Sequence, residues 1–146
     1  MGNIINNRTL TASKMLALPP PVVLCVNRAD FDSAITKAQF RKVSLNLPLA
    51  KKLISKPATE AITDITGIIL SLLPKGEALY LTDFEILFDP CYKLDVLKLF
   101  VGISRHHKLI VKWCGGINKE SLTFAEAGYD DYRKYEINDY NITFVI

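Results

Sequence analysis

The chain has 146 residues, 49% apolar and 23% charged, with a formal net charge of +3. These values exclude a disordered chain, a collagen-like fibre and a Cys-rich secreted scaffold, and a chain of this length buries enough surface to need no disulfide or metal staple. They place it as a single domain over residues 1–146, with 1–21 as an N-terminal helical and proline-rich extension. The longest apolar stretches, such as 67–73, fall well short of the roughly 20 residues that a membrane span requires. The first eight residues, MGNIINNR, hold no apolar run of the secretory-signal kind. Cys25, Cys91 and Cys114 are odd in number and lack metal-site spacing, which predicts free thiols in a reducing, cytoplasmic setting.

In chain order, Leu10, Lys14 and Leu18 fall at helical spacing and predict a short helix within 9–18. Pro19, Pro20 and Pro21 stop it and lead into an extended segment. Residues 22–26, VVLCV, form a continuous apolar run, the pattern of a strand buried on both faces. Asp32 and Ser33 then predict the cap of a helix reaching Phe40. A short strand is expected at 42–46 and a short helix at 47–54. A longer helix is expected at 59–73, where Ile62, Ile65, Ile69 and Leu72 share a face.

Pro74 and Gly76 end that helix. Residues 78–83, ALYLTD, read as a third buried-type strand ending in a carboxylate. Asp95 starts a helix with Val96, Leu99, Phe100 and Ile103 on one side. A fourth strand spans 109–113 and stops at Gly115 and Gly116, and 122–125 and 141–146 close the chain as further strands. Strands alternating with helices predict an α/β fold with a mainly parallel central sheet, in which 22–26, 78–83 and 108–113 are central neighbours.

The charge is unevenly placed. Residues 1–74 hold nine basic and four acidic side chains, and residues 75–146 hold nine and eleven. The asymmetry is compatible with a basic face making weak DNA contacts, with head-to-tail homo-oligomers, or with ordinary solvated charge. Arg105, His106, His107 and Lys108 make the densest basic cluster. It reads either as an interface contact or as cations complementing a helix C-terminus. Two adjacent His with no acid or Cys close in sequence do not make a zinc site. Cys91 has no local context for a Cys–His nucleophile, and Trp113 reads as core. Tyr129, Tyr132, Tyr135 and Tyr140, mixed with Asp130, Asp131, Arg133 and Lys134, suit a protein partner better than a nucleic acid.

Asp83, with Glu85 two residues on, is the most informative position. A carboxylate at the C-terminal end of a strand in an open α/β sheet lies on the edge where ligands bind. In P-loop NTPases an acid there holds Mg²⁺. Elsewhere such an Asp serves only solubility or helix capping.

Residues 81–90 (LTDFEILFDP), 94–100 (LDVLKLF), 103–105 (ISR), 109–115 (LIVKWCG), 122–128 (LTFAEAG) and 131–135 (DYRKY) resemble the BrxF-like small P-loop-type proteins of BREX phage-defence systems. Residues 44–47 (SLNL) and 49–53 (LAKKL) extend the resemblance upstream, so that it covers about 42–146. The resemblance implies a three-layer α/β/α, P-loop-NTPase-like fold, an antiviral setting and other defence-system proteins as partners. It also implies a phosphate-binding loop after the first buried strand, Gly-x-x-x-x-Gly-Lys-Ser/Thr. The chain departs from that pattern. Its residues 26–34, VNRADFDSA, contain no Gly and no Lys, and there is no Gly at all between Gly2 and Gly67. Tight turning and close approach of backbone to phosphate are hindered without glycine, and Asp30 and Asp32 would repel a triphosphate. Asn27, Arg28, Ser33 and Asp83 are left as the remnant of a nucleotide site, with Arg28 in place of the missing cation and Ser33 in place of the Mg²⁺-binding hydroxyl.

Three functional expectations follow. The first is an accessory or assembly component of a BREX-like complex that has lost nucleotide chemistry, needs no cofactor and acts through protein contacts, with Arg105, His106, His107, Tyr132 and Arg133 as interface candidates. The second is an ATPase with an unorthodox first loop, in which Asp83 and Glu85 are catalytic and Asp83 holds Mg-ATP. The third is a DNA-binding accessory subunit using the basic N-terminal half.

Overall fold

The computed structural model describes residues 2–118 and 120–146. In chain order it contains β1 (Asn3–Ile5), α1 (Ala12–Leu16), β2 (Val22–Leu24), α2 (Ala29–Lys37), β3 (Arg41–Ser44), α3 (Asn46–Ile54), α4 (Ala58–Thr63), α5 (Ile65–Ser71) and β4 (Leu79–Thr82). Then follow α6 (Val96–Ser104), β5 (Leu109–Lys112), β6 (Gly116–Ile117), β7 (Ser121–Phe124), β8 (Arg133–Glu136) and β9 (Thr143–Val145). Six strands form one all-parallel sheet in the order β1-β9-β2-β5-β4-β3, while β6, β7 and β8 make a small antiparallel sheet. The protein is therefore α/β, its parallel strands alternating with helices.

The three runs expected at the centre are β2, β5 and β4, and they are consecutive neighbours, none at an edge. Alternation along the strands divides the core in two. Val23, Leu79, Leu81, Leu109, Val111 and Phe144 point into a cluster shared with α3, α5 and α6. Val22, Leu24, Tyr80, Ile110 and Val145 point into a second cluster with Met15 of α1 and Phe31 and Ile35 of α2. A strand covered on both sides cannot alternate apolar with polar, which is why these segments read as unbroken apolar runs.

Several local expectations are corrected. The helix expected at 59–73 is two helices meeting at Asp64, whose backbone leaves helical geometry at φ −114° and ψ 22°. Ile65 and Ile69 are buried as expected, and the side chain of Ile62 lies outside the described residues. α2 is not capped by Asp32 and Ser33: it starts at Ala29 with Arg28 in the N-cap position, so Asp30 and Asp32 occupy its first turn, where carboxylates complement the helix dipole. Asp95 does cap α6, its Oδ1 accepting from the Lys98 amide at 3.1 Å. β1 lies in a segment where no strand was expected. It pairs in register with the last strand, Ile4 opposite Phe144, and Met15 nearby in sequence is fully buried.

Candidate functional site

The C-terminal ends of β3, β4 and β5 bring together Ser44, Thr82, Asp83 and Lys112, with Lys42 two residues before the end of β3. Asp83 leaves β4 in the left-handed region, at φ +50°, a conformation in which Asp and Asn are the commonest residues after Gly. Its carboxylate Oδ2 accepts the Ser44 hydroxyl at 2.6 Å, and its carbonyl accepts the Asn46 amide at 2.7 Å. The Asn46 side chain carries the chain onward: its Nδ2 donates to Glu85 Oε2 and its Oδ1 accepts the Ile86 amide at 3.0 Å. Asp83 and Glu85 are thereby held from the end of β3 and the start of α3, by Ser44 and Asn46, while both remain exposed.

The cleft beside them, of about 270 Å³, is lined by Lys42, Thr82, Asp83, Glu85, Lys112 and Cys114 together with Trp113. A second hollow of about 160 Å³ shares Lys42, Thr82 and Lys112 and adds Asp32, Thr36, Phe40 and Tyr80. Two ammonium groups and two carboxylates thus face one opening. The Tyr80 hydroxyl donates to Asp32 Oδ1 at 3.0 Å, and burial, reinforced by that carboxylate, pushes its ionisation far up. Burial, aided by the charges of Glu85 and Asp83, pushes the Cys114 thiol up to about 12. A thiol at that value is protonated at neutral pH and is no nucleophile. Trp113 is core: it is 7% exposed and its indole N–H donates to the Gly116 carbonyl at 3.0 Å.

The turn between β2 and α2, where a phosphate loop would lie, is closed on itself. Arg28 donates from Nε to Asp30 Oδ1 at 2.9 Å and from Nη2 to Asp30 Oδ2 at 2.5 Å. Its Nη1 donates to the carbonyls of Asn7 at 2.6 Å and Leu10 at 3.0 Å, and the guanidinium lies 3.9 Å from the centre of the Phe31 ring. Arg28's hydrogen bond holds the Asp30 carboxyl below its ordinary range. Asn27 is exposed, and Ser33 lies on the exposed side of α2 in a shallow hollow with Asp32, Thr36 and Lys37. Asn27, Arg28 and Ser33 do not line the Asp83 cleft.

The remaining candidates are dispersed. Arg105 and His106 edge a groove between α5 and α6. His107 turns away, its Nδ1 lying 2.9 Å from the Glu77 carbonyl. Tyr132 ends the β7–β8 connection and Arg133 opens β8, where Arg133 Nη1 donates to the Tyr132 carbonyl at 2.8 Å. Tyr135 and Tyr140 pack into the core, and the Tyr140 hydroxyl donates to Asp95 Oδ2 at 2.8 Å.

Among the described residues no group of three or more His, Cys, Asp or Glu is arranged for a metal ion. A magnesium ion brought by a phosphate would need only one or two carboxylates, a role Asp83 and Glu85 can fill. Lys42, Ser44, Asn46 and Lys112 were missed in the sequence. Lys112 had a signal, as the one charge inside an otherwise apolar strand; Lys42 and Asn46 become visible only once β3 is placed beside β4. No helix among the described residues is long and apolar enough to cross a membrane. No family model, curated protein or solved structure matches the chain.

Proposed function

We propose that the protein is a P-loop-NTPase-like domain, three-layered α/β/α, that has given up nucleotide chemistry and serves as an accessory or assembly component of a BREX-like antiviral complex, acting in the cytoplasm through contacts with other defence proteins. The observation that carries the loss of chemistry is the closed β2–α2 turn. A phosphate cradle needs consecutive backbone N–H groups turned inward and a free cation. Here the one cation of the turn, Arg28, is engaged by Asp30, Asn7 and Leu10, and Asp30 and Asp32 stand at the N-terminus of α2, where a phosphate would have to sit. The fold side of the reading is supported by the place of β2, the strand that runs into this turn. It lies one strand away from acid-tipped β4, and its connection leaves on the face opposite to those after β3 and β4, a crevice of the kind in which open α/β sheets bind ligands. The antiviral setting rests on the resemblance of residues 42–146 alone.

Titration calorimetry with Mg-ATP tests the loss of nucleotide binding. No heat of binding is expected at protein concentrations of tens of micromolar. The missing lysine alone removes a charge-assisted contact worth about 1.5–3 kcal/mol, or one to two decades of affinity. A micromolar dissociation constant that Asp83→Ala abolishes overturns the reading.

That outcome would establish the second reading, an ATP-binding protein with an atypical first loop. It has one observation in its favour, the presence of Lys42 and Lys112 in the cleft beside Asp83 and Glu85. The partner half is tested by capturing the tagged protein from its native host: recovery of a methyltransferase and a large ATPase of a defence system supports it, and recovery of the chain alone removes it.

A further inference from the structure

Two surfaces, one built by residues 66–106 and one by residues 125–131, carry opposite charge beside an apolar hollow and an exposed aromatic ring. The first is the groove between α5 and α6, of about 420 Å³. Its walls are apolar, made by Leu70, Leu94, Leu99 and Ile103, and Leu70 is 45% exposed. Its floor is opened by Gly102, inside α6, where an added Cβ would meet nothing within 4 Å. Glycine inside a helix is less stable than alanine, so this helix keeps its hollow at the expense of its own stability. The groove is edged by Lys98, Arg105 and His106, all exposed. Its one carboxylate, Asp95, is engaged on both oxygens, by the Lys98 amide and the Tyr140 hydroxyl.

The second surface is the β7–β8 connection. Residues 125–130 are exposed throughout. Two successive turns shape them, the Tyr129 amide donating to the Glu126 carbonyl at 3.2 Å and the Tyr132 amide to the Tyr129 carbonyl at 3.1 Å. Gly128, at φ +98°, permits the first. Tyr129 stands at the tip, 65% exposed, flanked by Glu126, Asp130 and Asp131. Among the described residues, Lys98 and Arg105 on one surface and Glu126, Asp130 and Asp131 on the other form no ion pair.

We infer that the occupant of the α5–α6 groove is the β7–β8 connection of a second copy of this chain. Tyr129 enters the apolar hollow over Gly102, and its acidic neighbours meet Lys98, Arg105 and His106. An aromatic anchor in a pocket with a charged rim is the usual core of a protein interface. Because the two patches are different and only one loop enters one groove, the contact is heterologous: the copy that gives its loop keeps its groove free, its partner keeps its loop free, and association proceeds head to tail. A single loop in a groove buries little area, so the association is weak and transient. The inference stands apart from the proposed function, since self-association is tested on the pure protein and partner capture on the native complex.

Sedimentation analysis of the full chain tests it. The weight-average mass rises with concentration above the 16.4 kDa of one chain, and falls back as salt screens the rim charges. Gly102→Leu places a side chain in the groove from a position where the added Cβ meets nothing within 4 Å, Tyr129→Ala removes the anchor from an exposed loop, and a urea midpoint equal to that of the wild type shows for each variant that the fold is kept. Each variant alone is expected to stay at the mass of one chain. Mixed one to one they form a dimer that grows no further, because only one groove and one loop remain competent. A wild-type chain that stays monomeric up to millimolar concentration, variants that associate like wild type, or a mixture that fails to pair would each overturn the inference.

Discussion

The β2–α2 turn and the tip of β4 lie at the same edge of the same sheet, and their charges have opposite fates. At the turn, Arg28 is matched to a carboxylate, two backbone carbonyls and an aromatic face. At the tip, Asp83 and Glu85 are positioned by Ser44 and Asn46 yet left exposed beside two lysines. In the first region a charged side chain serves the fold. In the second the fold serves the charged side chains. A cation consumed internally is unavailable to a ligand; a carboxylate held only on one side by a hydroxyl still is.

The comparison breaks most visibly at Arg28. Arg28→Ala leaves the Asn7 and Leu10 carbonyls and Asp30 without their donor, and is expected to lower unfolding free energy by about 2–3 kcal/mol in urea titration. Arg28→Lys restores little, because an ammonium cannot reproduce the forked contact with Asp30 and reach both carbonyls together. A variant as stable as wild type would show that the turn is not held by this residue.

Two thiols report on the two regions separately. Cys25 follows β2 and is pushed up to about 12 by burial alone, whereas Cys114 reaches about 12 with the help of Glu85 and Asp83. Glu85→Gln with Asp83→Asn is expected to lower the pH at which Cys114 becomes reactive toward a disulfide reagent and to leave Cys25 unmoved. In both thiols the folded value lies above the ordinary 9.0. Their contribution to stability is therefore complete below about pH 9 and is lost as pH rises from there toward 12. Stability measured across that range should fall, and should fall less steeply in the double variant. A flat profile would remove the thiols from the account.

The smallest effect is expected at the tip. Asp83→Gly loses the Ser44 hydrogen bond but relieves the cost of a side chain at φ +50°, so the two changes nearly offset and stability stays within about 1 kcal/mol of wild type. A loss of more than about 2 kcal/mol would mean that Asp83, like Arg28, is there for the fold.

The parts legible in the sequence are those whose pattern has one physical solution. Runs such as VVL and LIV, bounded by prolines, asparagine or glycines, have no polar face to give to water and read as short strands covered on both sides. Asp95 could be read as a cap because its carboxylate is followed at once by an apolar helical face. The break at Asp64 was hidden because Ile65 and Ile69 continue the helical spacing begun at Ile62, and periodicity does not register a kink that preserves it. β1 was hidden because Asn3-Ile4-Ile5 is too short to have a pattern, and only its pairing with β9 makes it a strand. At the site, Asp83 stood out as an acid closing an apolar run. Its companions Lys42, Ser44 and Asn46 depend on which strand lies next to β4, a property of topology and not of spacing. The role of Arg28 was invisible for the same reason, since two of its acceptors lie 18 and 21 residues earlier in the chain.

The last strand, β9, does not add to the border of the sheet but inserts between β1 and β2. During translation the ribosome releases those two strands first, and for well over a hundred residues each has its neighbouring slot vacant. β2 can find β5 only after residue 112 and β9 only after residue 145, so the nascent chain carries a gap lined by unpaired backbone between β1 and β2. Such a gap invites pairing with a foreign strand. A peptide matching residues 141–146, supplied during refolding, should therefore compete with the chain's own final strand for that slot.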